Sequence, residues 1–192
     1  MAPSFSEGAL EVLASKKNLR LLKLDMRKSD KPQTQHASVN GGILVHNQDL
    51  SCKPASEWTL AGEYKPDEAQ LADLDFAWKI VKHVKSNAIL VAKDGMTLGV
   101  GAGQMNRVGS AEIALKQAEA SLAAAGKDIR KEGLVLASDG FFPFGDSVEM
   151  AAGYGIAAIV QPGGSVRDQE SVDKADEYGI PMMFTGERHF KH

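Results

Sequence analysis

Apolar positions change their period several times along the chain, and each change predicts an element. Ala9, Leu10, Val12 and Leu13 fall at helical spacing behind Ser6, a good capping residue. LRLLKLD, residues 19–25, reads as a strand ended by the charged turn RKSDKP. VNGGILVHN, residues 39–47, reads as another strand, its paired glycines suggesting a bulge or a close backbone contact. The polar run from Gln48 to Lys65 reads as a surface connection. From Pro66 the pattern predicts a long helix over 67–86, with Leu71, Leu74, Phe76, Ala77, Ile80, Val81 and Val84 as its apolar stripe. Two short apolar runs within 87–103 are joined by Asp94-Gly95, a strong hairpin signal. A helix over 111–126 follows, stopped by Gly126. LVLASD, IAAIVQP and IPMMFT then read as buried strands, separated by helical stretches around 146–153 and 167–178.

Strands alternating with helices imply an α/β layered domain whose sheet is covered on both faces, and the hairpin makes that sheet mixed. No repeat, low-complexity tract or linker interrupts the 192 residues. They read as one domain, with 1–65 supplying a helix, strands and a connection and 66–192 an α/β ligand-binding core.

Composition narrows the classes of function. A net charge of −3 argues against general nucleic-acid binding, which needs a basic excess. No apolar run approaches the roughly 20 residues needed to cross a bilayer, and the N-terminus lacks the basic-then-apolar order of a signal peptide. One cysteine, Cys52, leaves no intrachain disulfide and fits a reducing compartment. A cytoplasmic protein that binds neither nucleic acid nor membrane is the expectation.

The candidate chemistry lies at strand exits. ASDGFFPFGD, residues 137–146, places Phe141, Phe142 and Phe144 around Pro143, flanked by Asp139 and Asp146. Proline is a poor ladder residue, so a buried strand accounts for the apolar side chains but not for Pro143. A flat aromatic ligand held by carboxylates accounts for both. GVGAGQ, residues 99–104, is not the dinucleotide fingerprint, because position 106 is Asn and the run follows a hairpin strand. Two readings of its glycines stay open: room for a bend and a close helix, or a backbone-lined ligand site. Gln104, Asn106 and Arg107 stand near a helix N-terminus that could seat an anionic or polar ligand. A deaminase-type zinc site is excluded by one cysteine and no H-x-E. His83 reads as solvated or at the core edge, and His192 as terminal. Arg188 and His192 stand four apart after a buried strand, placed to project from the sheet edge together. With QPGGS at 161–165, these runs share the strand-exit edge where open α/β sheets bind ligands.

SNAILVAK, GAGQMNRV, ASDGFFPFGD, VQPGGSVRD and ERHFKH, with the opening APSFSEGALEVLASKKNLRLLKL, together resemble the C-terminal half of AICAR transformylase. That family is the formyltransferase part of the bifunctional enzyme that also carries IMP cyclohydrolase. The resemblance implies a three-layer α/β/α, cytidine-deaminase-like fold without the zinc site. It implies formyl transfer from 10-formyltetrahydrofolate, a co-substrate, to AICAR, giving FAICAR in de novo purine biosynthesis, with no metal. By the same resemblance Asn87 meets the reacting region of AICAR, and Arg107, Phe141 and Arg188 contact the nucleotide. Val108, Pro143 and Phe144 wall the folate, Asp146 faces the pterin amino edge, and His192 supports catalysis. A homodimer, or pairing with a complementary N-terminal half, is implied as well. The family's catalytic Lys-His pair lies in a K-H-x-x-P-x-G motif of that other half; Lys82-His83 here is followed by Val-Lys-Ser-Asn and is not that pair. Gly145 stands where many relatives have arginine and Asn106 where serine is usual, which alters the folate contacts. A non-catalytic module that binds AICAR or folate is the alternative.

Overall fold

The computed structural model describes residues 1–25 and 34–192, and the charged turn expected at 27–32 lies outside them. The chain forms two compact units, Met1–Leu50 and Ser51–His192. In the first, α1 spans Glu7–Ala14, with the Ser6 side chain accepting from the Ala9 N–H as its sequence predicts. β1 (Thr34–Val39) and β2 (Gly42–Asn47) form an antiparallel hairpin. Its turn is Asn40-Gly41, Gly41 having φ 82°, so the glycine pair reverses the chain rather than bulging a single strand. The strand expected at 19–25 does not form. A strand exists only through its partner, and among the described residues this segment has one bridge, Ala2 with Lys23.

The second unit is a six-stranded mixed sheet in the order β3-β8-β7-β6-β4-β5. Its strands are β3 (Thr59–Leu60), β4 (Ile89–Lys93), β5 (Met96–Gly101), β6 (Val135–Ser138), β7 (Ala158–Gln161) and β8 (Met182–Phe184). β6, β7 and β8 run parallel, and β4 pairs antiparallel with both β5 and β6. The β4–β5 turn has both central residues at positive φ, Asp94 at 51° and Gly95 at 66°, as its sequence predicts. From Ser51 on, the surface connection expected at 48–65 is instead part of this unit: it contributes β3 and the buried Trp58, which meets Trp78 edge-to-face at 6.3 Å.

Alternate strand residues point to opposite faces, which divides the core. Ile89, Val91, Leu134, Leu136, Ile159 and Met182 pack with α3 (Arg107–Ala124), α4 (Asp146–Gly153) and α5 (Asp168–Glu177). Leu90, Ala92, Val135, Ala137, Ala158 and Val160 pack against α2 (Glu68–Val81). The result is three layers, α/β/α, as expected. Each fully buried Leu or Ile contributes about 1.5–3 kcal/mol. α2 starts with a capping box, Asp67 and Gln70 bonding each other's backbone N–H. It ends at Val81, not near residue 86; His83 and Val84 instead close three-residue turns.

α3 begins four residues before the expected start, capped by the Asn106 side chain on the Gly109 N–H. It lies very close to β5. An added Cβ on Gly99 would stand 1.9 Å from Ala114 O, and one on Gly101 1.8 Å from Ser110 O. Those two glycines give the helix room, while Gly103 and Gln104 at the end of the same run line a pocket described below. Among the described residues no helix is long and apolar enough to cross a membrane.

Candidate functional site

Strand register builds the site. Ile89 of β4 lies opposite both Gly101 of β5 and Ser138 of β6. The residues entering β4, Ser86 and Asn87, therefore face those leaving β5, Gly103–Asn106, and those leaving β6, Asp139–Pro143. The C-terminal segment closes the edge: Ser86 N–H donates to Lys191 O at 2.8 Å, and Lys191 N–H to Ser86 Oγ at 3.0 Å. Farther along, Glu187 accepts from the Ser51 hydroxyl and from the Lys53 N–H, the latter at 2.8 Å. Burial pushes the Glu187 carboxyl up, but the bonds from Ser51 and Lys53 and the charges of His189 and Lys53 outweigh it, leaving its pKa below the ordinary value. Burial beside this clasp raises the Cys52 thiol.

Two adjoining pockets open at this edge. One, of about 390 Å³, is lined by Ser86, Asn87, Gly103, Gln104, Met105, Phe190 and His192. The other, of about 340 Å³, is lined by Asn87, Met105, Asn106, Arg107, Phe141, Pro143 and Phe190. Asn87, Met105 and Phe190 belong to both.

Asn87 is held on several sides. Its Nδ2 donates to Gln104 O at 2.9 Å, its Oδ1 accepts from Arg107 Nη2 at 3.1 Å, and its carbonyl accepts from Ser110 Oγ at 2.7 Å. Arg107 is itself buried, with Nη1 donating to Ser138 Oγ at 2.9 Å and to Asp139 Oδ1. The three phenylalanines divide: Phe142 is fully buried with its N–H on Gln161 Oε1 at 2.9 Å, Phe141 is half-buried and Phe144 exposed. Each of the latter two carries a guanidinium over its ring, Arg188 at 5.9 Å from Phe141 and Arg167 at 5.0 Å from Phe144. Such pairs set a cation against an aromatic ring, a combination that suits a flat ligand with anionic groups.

With this geometry in place, the sequence comparisons decide the family. The profile of the AICARFT/IMPCHase bienzyme family matches residues 1–117. The chain belongs to that family. AICARFT/IMPCHase relatives align along all 192 residues. The bifunctional purine biosynthesis proteins PurH of Anoxybacillus flavithermus and Enterococcus faecalis are 54% identical, and that of Bacillus subtilis is 53% identical. The alignment takes in 100% of this chain and 36% of each of those relatives, so the chain spans about a third of their length.

Of the residues that the AICARFT/IMPCHase resemblance singles out, Asn87, Arg107, Phe141 and Pro143 come together in the second pocket, and Asn87 and His192 in the first. Arg188 reaches this edge through Phe141. Val108, Phe144 and Asp146 line neither pocket. Asp146 is exposed and opens α4, its Oδ1 accepting from the Ser147 N–H at 2.7 Å. Arg188 and His192 do not act as one projecting pair, since Arg188 lies over Phe141 while His192 stands beside Phe190, ring centres 6.3 Å apart. QPGGS is also absent from both linings; its Gly164 and Ser165 N–H groups donate to Asp168 instead. His83 is exposed beyond the end of α2. Among the described residues no cluster of three His, Cys, Asp or Glu side chains could hold a metal ion.

Sequence reasoning missed Asp139 as a partner of Arg107, Met105 and Phe190 as shared walls, and Ser110 as a support. The signal for Asp139 was present: an acid directly after four buried residues of β6 needs a cation.

Proposed function

We propose that this chain is the folate-side half of an AICAR transformylase and contributes the site at which a formyl group passes from 10-formyltetrahydrofolate to the exocyclic amine of AICAR. The observation that carries this reading is that Asn87, pinned by Arg107, Gln104 and Ser110, is a wall of both pockets. Group transfer between two co-substrates needs the donor carbon and the acceptor nitrogen in contact, held in a reactive orientation. A residue on the wall common to two adjoining pockets meets that need.

In this reading AICAR lies against Phe141, with Arg188 beside it and Asn87 at its reacting end. The folate enters along Pro143 on the wall of the second pocket and extends beyond both linings past Phe144 and Val108, where Asp146 accepts from the amino edge of the pterin. The amine nitrogen attacks the formyl carbon, the bond from that carbon to the folate nitrogen breaks, and a proton moves from the amine to the released nitrogen. His192, on the wall of the first pocket, supports that proton transfer. The Lys-His pair of the family's K-H-x-x-P-x-G motif does not occur in these 192 residues. General acid–base groups typically contribute about 10²–10⁴-fold, so the chain alone is expected to turn over slowly.

Assembly with further copies or with the complementary half is part of the proposal. Ile43, Leu44 and Val45 of β2 are 67%, 58% and 61% exposed, more apolar surface than a lone hairpin leaves in water. The enzymatic test is formyl transfer by the purified chain with and without the complementary part of the Bacillus subtilis relative. Turnover that appears only on mixing supports the proposal. AICAR and folate binding with no turnover in either state favours the alternative, a non-catalytic binding module.

A further inference from the structure

Asp139 is the buried ionisable group to which the proposed chemistry gives no task. Its side chain is fully buried at the exit of β6. Oδ1 does all the bonding, accepting from Arg107 Nη1 and from the Ala88 N–H at 3.1 Å, while Oδ2 has no hydrogen-bond partner among the described residues. The backbone of Asp139 bonds Ala88 a second time, its N–H donating to Ala88 O at 3.2 Å, and adds the C-terminal segment, its carbonyl accepting from the His189 N–H at 3.1 Å. One residue thus ties together the entry of β4, the start of α3 and the C-terminal segment.

A buried ion pair is weak evidence for stability, because apolar replacement of both partners is often neutral or better. The purpose of this pair is read more directly from the rest of the guanidinium. Asp139 and Ser138 both hold Nη1, and with the group so fixed Nη2 reaches Asn87 Oδ1. An amide oxygen facing a cation cannot exchange places with its NH₂, which has only donors to offer. Nδ2 must therefore be the donor, giving one hydrogen to Gln104 O and keeping the other for the pockets.

We infer that Asp139 is a positioning residue: it locks Arg107, through Arg107 it locks the Asn87 amide donor-side out, and it cancels the Arg107 charge, so that this wall offers a neutral donor. The inference rests on the reading of Asn87 as the residue where the two co-substrates meet.

The test uses the nitrogen-15-labelled chain and needs no ligand for its first readout. In the parent chain, protected Arg107 guanidinium protons and two distinct Asn87 side-chain amide protons, the one bonded to Gln104 O protected, are expected; an Arg107 that exchanges like a surface arginine overturns the inference without any variant. In Asp139→Asn the bonded Asn87 proton should lose protection and AICAR affinity should fall by up to about tenfold, the loss of one hydrogen bond from a neutral donor. Asp139→Asn combined with Arg107→Gln removes both charges of this buried pair. It should regain the melting temperature lost by the single variant while Asn87 stays unprotected. Asn87 signals unchanged from the parent in either variant show Asp139 to be structural only and overturn the inference. Failure of the parent chain to bind AICAR counts against the proposed function instead, and leaves the Asn87 protons to decide the positioning role.

Discussion

Replacing Gly101 with alanine should displace the first turn of α3 and release Asn87. The new Cβ would stand 1.8 Å from Ser110 O, 2.5 Å from Ser110 C and 2.8 Å from Ser110 Cα. All three are backbone atoms, so no side-chain rotation relieves the clash; the helix itself must retreat by more than about an ångström to restore ordinary contact. Overpacking of this kind costs about 1–3 kcal/mol. The retreat also stretches the 2.7 Å bond from Ser110 Oγ to Asn87 O and the 3.1 Å bond from Arg107 to Asn87 Oδ1, each worth about 1 kcal/mol. A loss of about 3–5 kcal/mol follows. At about 2–4 °C per kcal/mol for a chain of this size, the melting temperature should drop by about 6–20 °C. Gly153→Ala is the control: it lies at the end of α4 with nothing within 4 Å of its added Cβ, and should leave stability equal or slightly raised. Thermal denaturation of both variants, followed by AICAR titration below the transition, makes the comparison. A Gly101→Ala chain that melts with the parent and binds AICAR equally well would refute the close packing of α3 on β5 as the support of Asn87.

On the proposed function, Asp146→Asn should weaken a folate analogue about tenfold to a hundredfold, because the acceptor proposed for the pterin amino edge becomes in part a donor. The stability change should stay within the about 0.3–1 kcal/mol that a carboxylate contributes at a helix start; unchanged affinity with a lowered melting temperature would leave Asp146 with the helix role only. Glu187→Gln should cost about 1 kcal/mol near neutral pH, and the cost should shrink in acid. The reason is that the folded pKa of Glu187 is lowered, so its contribution is complete above the ordinary carboxylate range and is lost as pH falls through the lowered value. Parent and variant melting curves that stay parallel down to low pH would contradict this. Asp67→Ala should cost about 1 kcal/mol by opening the capping box of α2, read from chemical denaturation.

The buried strands of the larger unit were legible because each is a short apolar run bounded by turn residues, and the Asp94-Gly95 hairpin because its turn chemistry is local. Pairing was not legible. LRLLKLD has the composition of a strand but, among the described residues, only a single bridge, whereas Thr34–Val39, largely polar, is a strand because Asn40-Gly41 folds Gly42–Asn47 back on it. Trp58 and β3 were hidden in a largely polar run, from which Trp58 and Leu60 pack on the α2 face of the core.

The site divides in the same way. Asn87, Arg107, Phe141 and Pro143 carry recognisable motifs and meet in one pocket. What joins them does not show in any local pattern: Asp139 reaches Arg107 from thirty-two residues away, and only the β4–β6 register brings the two strand ends together. Met105, 97% exposed, was unremarkable as a letter and became visible once two pockets were found to share it.

A crystal structure of the chain with AICAR and a folate analogue bound together tests the central claim most directly. The account predicts AICAR against Phe141 with Arg188 beside it, the analogue along Pro143, Phe144 and Asp146, and the Asn87 amide in contact with the reacting ends of both. Two ligands that displace each other from one pocket, or that both bind away from Asn87, would contradict it.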